Sequence, residues 1–332
     1  MSKKIIPQDE IFRLVHGLRK QNKKIVTYNG SFDVLHIGHI KSIREAKEQG
    51  DVLIILLNSD KSIKLYKGPS RPINKEEDRI ELISSLDTVD YVVAFDEINP
   101  KKILSIIKPD IHCNGSDWGE NCIERSIVEE NGGKIHVLKW QEGFSSTNTI
   151  DKTFDNKEKS IARAIFLDRD GTINDNKEGY AYKTEEFEFL PGVIEGLKKL
   201  SRTDYFLIII TNQSGIGRGM YRHDDFQKLS KWLLSKLKKD GIKISKIYHC
   251  PHQPNDNCDC RKPGIGLFLR AVQDFGISLN KSWLVGDSDS DVIAGREANI
   301  KTIKIGKKMD NALELEPNYY AKNFKETVDI IL

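Results

Sequence analysis

No apolar run in this sequence approaches the roughly 20 residues a helix needs to cross a bilayer, and stretches such as Phe206 to Ile210 are far shorter. The opening segment, MSKKIIPQDE, has no apolar core behind its lysines, so it does not read as a signal peptide. A charge of one sign is lacking too. Against 52 Lys and Arg stand 49 Asp and Glu, a net charge of +3, which argues against a dedicated nucleic-acid or membrane-surface protein. Cysteine is scarce, with five residues, and Cys250, Cys258 and Cys260 are bunched, which suits metal ligands in a reducing compartment better than a disulfide framework. Repeats and low-complexity tracts are absent. The chain is therefore expected to be cytoplasmic, with no membrane or nucleic-acid partner.

A chain of 332 residues exceeds one ordinary core, so two domains are expected. An amphipathic helix built on Ile11, Leu14, Val15 and Leu18 precedes the first strand at Lys24 to Tyr28. Short apolar runs then alternate with helical spacing up to about Ile150, the signature of a parallel sheet. The stretch DKTFDNKEKS is polar and aperiodic, as a linker is. A second series opens at Ala164 to Leu167 and runs to Lys301 to Ile305. The expected fold class is α/β, with two Rossmann-like parallel-sheet domains in tandem. The expected boundaries are an N-terminal helix over 1–22, a first domain over 23–152, a linker over 153–160 and a second domain over 161–332.

NGSFDVLHIGH leaves the first strand and enters a helix. Gly30 allows close backbone approach there, and the helix N-terminus offers free amides to phosphate. His36 and His39 share one helix face and can donate to phosphate oxygens, stabilising the transition state when an α-phosphate is attacked. Two helical histidines alone say little. Lys64 and Lys67 in KSIKLYKGPSRP suit a triphosphate and a sugar phosphate, and the planar fork of Arg79 suits a leaving pyrophosphate.

With LLNSDKSIKLYKGPSRPIN, DRIELISSLDTVDYVVAFDE, IIKPDIHCNGSDW and GFSSTNTI, this motif resembles the cytidylyltransferase-type nucleotidyltransferases, and within them the heptose 1-phosphate adenylyltransferases. The resemblance implies the HIGH-type fold, ATP as co-substrate and Mg2+. It also implies nucleotide contacts from Gly30, Ser31, Phe32, His36, His39, Lys67 and Arg79, a transition-state lysine in Lys64, base or ribose contacts near Gly115 and Asp117, and phosphate contacts from Ser146 and Thr147. Where that family commonly has a lysine and two glycines, this chain has Asn114, Gly115 and Ser116. Class I aminoacyl-tRNA synthetases share the histidine motif, but the chain has no lysine signature of the KMSKS kind and no basic field for tRNA.

FLDRDGTIN places Asp168 at a strand end with Asp170 two residues on. Carboxylates so spaced can divide labour, Asp168 as nucleophile and Asp170 as acid and then base, with Mg2+ held by Asp168, the Asp170 carbonyl and Asp287 of GDSDSD. Thr211 and Lys262 can bind the transferring phosphoryl oxygens. CPHQPNDNCDC offers Cys250, His252, Cys258 and Cys260 as a closed tetrahedral zinc set within 250–260, whose role would be structural.

These motifs resemble the haloacid dehalogenase superfamily, in particular its zinc-loop heptose bisphosphate and histidinol phosphate phosphatases. The resemblance implies substrate contacts from Thr211, Asn212, Gln213, Ser214, Arg261 and Lys262. TNQSGIGRGMY points to the 7-phosphatase branch of heptose 1,7-bisphosphate, while the short loop between His252 and Cys258 is of the length usual in the histidinol phosphate branch. The fusion decides in favour of heptose: removing the 7-phosphate yields the 1-phosphate that the first domain would adenylylate. A separate heptose kinase is expected upstream. Two other readings are a histidinol phosphate phosphatase joined to a CTP-using transferase, and a first domain that senses nucleotide without catalysis.

Overall fold

The computed structural model describes residues 3–115, 119, 122–139, 162–175, 180–306 and 316–332. Asp117, Ser146, Thr147 and the expected linker lie outside the described residues. The chain divides into two compact units that meet in sequence between residues 160 and 161.

The first unit holds α1 (Ile11–Lys20), β1 (Ile25–Gly30), α2 (Ile37–Lys47), β2 (Val52–Asn58), α3 (Asp60–Lys67), α4 (Glu76–Ser84), β3 (Tyr91–Phe95), α5 (Lys101–Ile107), β4 (Ile111–Asn114), α6 (Arg125–Glu129) and β5 (Lys134–Val137). All strand pairs are parallel, in the order β3-β2-β1-β4-β5. VLIILLN of β2 is buried at every position, as a strand covered by helices on both faces must be. Helix α1 packs Ile11, Val15 and Leu18 inward. The expectation of a bare helix before β1 needs one addition. Ile5 bridges Val92 in parallel, Ile6 N donates to Val92 O at 2.9 Å and Val92 N donates to Lys4 O at 2.8 Å, so the first residues pair with the outer side of β3.

The second unit holds β6 (Ala164–Leu167), α7 (Val193–Leu200), β7 (Phe206–Asn212), α8 (Ser214–Gly217), α9 (His223–Lys239), β8 (Lys246–Cys250), α10 (Gly266–Phe275), β9 (Trp283–Gly286), α11 (Asp289–Glu297), β10 (Lys301–Ile305), β11 (Tyr319–Ala321) and α12 (Phe324–Ile331). Its parallel strands run in the order β11-β10-β9-β6-β7-β8. The short β11 had no apolar run to announce it. Each sheet reverses its winding once, between β1 and β4 in the first and between β6 and β9 in the second. Ligands of open α/β sheets bind in the crevice beyond the carboxyl ends of such strands. NGSFDVLHIGH leaves β1, FLDRDGTIN leaves β6 and GDSDSD leaves β9 at those ends.

Two candidate active sites

In the first unit the turn after β1 is shaped by Gly30 and Phe32. A Cβ on Gly30 would lie 3.0 Å from the Phe32 ring, and Phe32 has a positive φ of 46° and is 2% exposed. Its ring meets His39 edge-on at 5.4 Å, so Phe32 supports the His39 imidazole. His36 caps α2, and its backbone N–H donates to His39 Nδ1 at 3.3 Å. With Nδ1 accepting, a neutral His39 carries its proton on Nε2. The two imidazoles stack at 3.8 Å, and burial holds the His36 pKa below the usual histidine value, which favours the neutral ring.

The lysine expectations and the Arg79 expectation part company here. Lys64 is exposed on α3 and Lys67 half-buried, both compatible with reaching a ligand. Arg79 is 0% exposed. Its guanidinium donates to Asn74 O at 3.1 Å, to Ser31 O at 2.6 Å and Asn58 O at 2.8 Å, and to Asp60 Oδ1 at 2.8 Å. With four of five donors used, it stitches the ends of β1 and β2 to the loop before α4, and the expected pyrophosphate clamp gives way to a positioning role. Asp33 does similar work unannounced, accepting from Ile73 N at 2.7 Å and Asn74 N at 3.0 Å. Gly115 follows β4, and among the described residues nothing lies within 4 Å of where its Cβ would stand.

In the second unit Asp168, Asp287 and Asp291 each offer a carboxylate oxygen within 4.8 Å of the others. Lys262, 1% exposed, pairs with Asp168 at 2.8 Å and Asp291 at 2.5 Å and donates to Ile210 O at 2.9 Å. Burial pushes the Asp168 carboxyl up to about 8 against the pull of Lys262, and burial with Asp291 nearby pushes Asp287 up to about 6. Carboxyls so disposed ionise readily only beside a further cation, and their oxygens are the donor set that Mg2+ prefers. Asp291 also accepts from Ser288 Oγ at 2.6 Å and caps the start of α11.

The Asp170 carboxylate is not part of that triad. Arg169, 1% exposed, grips it through Nε at 3.1 Å and Nη2 at 2.9 Å, while Gln213 Nε2 donates at 2.7 Å and Asn174 Nδ2 at 3.0 Å. Asn212 spends its amide on the Lys262 backbone, donating to the carbonyl and accepting from the N–H at 3.0 Å each. Gln213 is also used internally. Both were expected as substrate contacts, and in the structure their amides bond to neighbouring residues of the chain. Arg261, half-buried, donates to Ser214 Oγ at 2.5 Å.

Beside these residues, the donor atoms of Cys250, His252, Cys258 and Cys260 lie within 4.8 Å of one another. Cys250 Sγ is 3.5 Å from Cys258 Sγ and 3.3 Å from Cys260 Sγ, and His252 Nδ1 is 3.2 Å from Cys260 Sγ. Three sulfurs and one imidazole nitrogen at such separations fit the corners of a tetrahedral zinc site. The loop is tied to the phosphatase site by Gln213 N donating to Cys250 O at 2.8 Å and Gly217 N to Pro251 O at 2.9 Å.

A cytidylyltransferase-like family model matches residues 27–161, and a HAD-hydrolase-like model matches residues 259–327. The chain is 38% identical over 180 residues to the D-glycero-beta-D-manno-heptose-1,7-bisphosphate 7-phosphatase of Pasteurella multocida, an alignment covering 52% of this chain and 97% of the relative. The chain belongs to the heptose 1,7-bisphosphate 7-phosphatase family. It is also 47% identical over 141 residues to the D-glycero-alpha-D-manno-heptose-1,7-bisphosphate 7-phosphatase of Campylobacter jejuni, with 42% of this chain and 80% of the relative covered. The Bifunctional protein HldE of Aliarcobacter butzleri is 43% identical over 150 residues, covering 45% of this chain and 31% of that protein.

For a phosphatase of this family, three partners escaped the sequence reading. Arg169 stands between the two aspartates of FLDRDGTIN, but nothing in its position says that it turns back onto Asp170. Asp291 stands four residues after Asp287, a helical spacing that a closer reading of GDSDSD would have paired. Tyr221 ends the quoted GRGMY stretch, and its hydroxyl donates to Gln213 Oε1 at 2.6 Å.

Proposed function

We propose that the chain is a bifunctional enzyme of nucleotide-heptose synthesis. The second unit removes the 7-phosphate of D-glycero-D-manno-heptose 1,7-bisphosphate. The first transfers the adenylyl group of ATP to the resulting heptose 1-phosphate, giving ADP-heptose and pyrophosphate. The observation that carries this reading is the Asp168, Lys262, Asp287 and Asp291 cluster at the winding reversal of the second sheet, together with a histidine-capped helix at the corresponding place in the topology of the first.

In the phosphatase reaction a carboxylate oxygen of Asp168 attacks phosphorus, and the bond to the sugar oxygen breaks as that oxygen takes a proton from Asp170. Asp170 then accepts a proton from the water that cleaves the aspartyl phosphate. Lys262 and the Thr211 hydroxyl meet the charge on the phosphoryl oxygens. Asp168 and Asp287 would hold Mg2+, whose charge would offset repulsion between the carboxylate and the phosphate dianion. Cys250, His252, Cys258 and Cys260 would hold zinc, which would fix the backbone of the 250–260 loop that leads to Arg261 and Lys262. In the first unit, α-phosphate attack by the sugar phosphate displaces pyrophosphate while His39 Nε2 donates to the phosphate oxygens.

The test is direct. Purified protein incubated with heptose 1,7-bisphosphate, Mg2+ and a mixture of nucleoside triphosphates should release phosphate and pyrophosphate and form ADP-heptose by mass spectrometry. Absence of both released ions sinks the proposal. His39→Ala is expected to lower pyrophosphate release by about 10^2- to 10^3-fold, in line with loss of one transition-state donor, and to leave phosphate release unchanged. Elemental analysis should find one zinc per chain. Cys258→Ser is expected to lose that zinc, lower the melting temperature of the second unit by several degrees and impair phosphate release, because the metal's binding energy is folding energy for the loop. Zinc-free protein of unchanged stability would disprove this structural role.

A further inference from the structure

Gln213 stands between β7 and α8 and is 0% exposed. A primary amide has four hydrogen-bonding positions, and the protein fills all of them. Oε1 accepts from the Tyr221 hydroxyl at 2.6 Å and from Arg169 Nη2 at 3.2 Å. Nε2 donates to Asp170 Oδ2 at 2.7 Å and to Thr211 Oγ1 at 2.8 Å. The amide cannot be turned over. A guanidinium can only donate and a carboxylate only accept, so Oε1 must face Arg169 and Nε2 must face Asp170.

This fixed direction passes to Thr211. Its oxygen receives a proton from Gln213, so its own proton must point elsewhere, and among the described residues that proton has no acceptor. Thr211 is 1% exposed at the end of β7 and follows Ile210, whose carbonyl accepts from the same Lys262 ammonium that pairs with Asp168. Phosphoryl oxygens only accept. A hydroxyl turned the other way would present lone pairs to them.

We propose that Gln213 is a positioning residue that sets the hydrogen-bond polarity of the phosphatase site, directing the Thr211 proton to the phosphoryl group while it holds Asp170. The proposal rests on the phosphatase reading of this site. Arg169 is the origin of the polarity and Tyr221 its support.

The experiment uses the full chain with Mg2+, reading the inhibition constant of inorganic phosphate together with KM and kcat for heptose 1,7-bisphosphate. In Gln213→Glu the new carboxylate accepts the Thr211 proton. The inhibition constant and KM are expected to rise about tenfold, the worth of one hydrogen bond to an anion. Gln213→Met removes the amide without adding an acceptor and should raise the inhibition constant only about threefold. Thr211→Val should match Gln213→Glu, and the double variant should be no worse than Thr211→Val alone. A residue that merely fills space predicts otherwise: Met would be as harmful as Glu, or the Glu and Val effects would multiply, and either result overturns the proposal. If Gln213→Glu does not fold, the Met effect must vanish in the Thr211→Val background, and its persistence there overturns the proposal equally. Wild-type protein that neither binds phosphate nor hydrolyses the bisphosphate overturns the phosphatase reading and this proposal with it.

Discussion

Gly171→Ala is expected to lower kcat/KM for phosphate release by about 10^3-fold or more, a loss of about 4 kcal/mol of transition-state stabilisation. Gly171 has a φ of 81°, and a Cβ there would lie 2.1 Å from Asp287 Oδ2 and 2.5 Å from its Cγ. The left-handed backbone alone costs an L-residue about 1 to 2 kcal/mol. The larger effect is on the carboxylate, which has to leave the place where it faces Asp168 and Asp291. Gly192 supplies the control. It has a φ of 80° at the start of α7, and among the described residues nothing lies within 4 Å of its absent Cβ. Gly192→Ala should therefore lose stability of the same backbone origin and keep its activity. Equal activity losses in the two variants, measured as phosphate release at saturating Mg2+, would show that the Asp287 contact is not the cause.

The second large effect is expected from Lys262→Met. Lys262 sits 1% exposed between Asp168 and Asp291, and its removal leaves two buried carboxyls without their cation. Breaking a buried ion pair from one side costs about 3 to 5 kcal/mol, and phosphate release should fall below detection because the nucleophile would be held protonated. The pH dependence follows. A carboxyl whose pKa is higher folded than unfolded binds its proton more tightly in the folded state, so its contribution to stability is greatest at low pH. That contribution declines as pH rises from the unfolded carboxylate range through the folded value. Asp168 already stands at about 8 with Lys262 present, so without it the melting temperature in the absence of Mg2+ should fall more steeply between pH 5 and pH 8 than in the wild type. Adding Asp291→Asn should restore part of the stability and none of the activity. A variant as stable as the wild type at pH 8 would mean that the triad is not the buried ionic unit described above.

Asp168, the strand that ends on it and the clustering of Cys250, His252, Cys258 and Cys260 were legible because each is local. An apolar run terminates, a polar motif follows, and the spacing alone fixes which side chains emerge together. The same holds for His36 and His39, three residues apart on one helix. Arg79, Asn212 and Gln213 were legible as polar residues in the right motifs but assigned to ligand. Burial and hydrogen-bond saturation decide whether a polar side chain serves the ligand or the loop that meets it, and neither has a period in the sequence.

By itself the sequence determined that two parallel α/β sheets each end in phosphate chemistry, since hydrophobic periodicity and strand-end motifs are properties of neighbouring residues. Only the tertiary structure decided which groups act on which. It placed Lys262 between carboxylates 94 and 29 residues away in sequence, the first separation being that of positions 168 and 262 and the second that of 262 and 291. It also turned Arg169 onto Asp170 and filled all four positions of the Gln213 amide. The reason is physical: charge pairing and hydrogen-bond satisfaction are settled by which strands adjoin at the winding reversal and by what water can no longer reach, and chain order specifies neither.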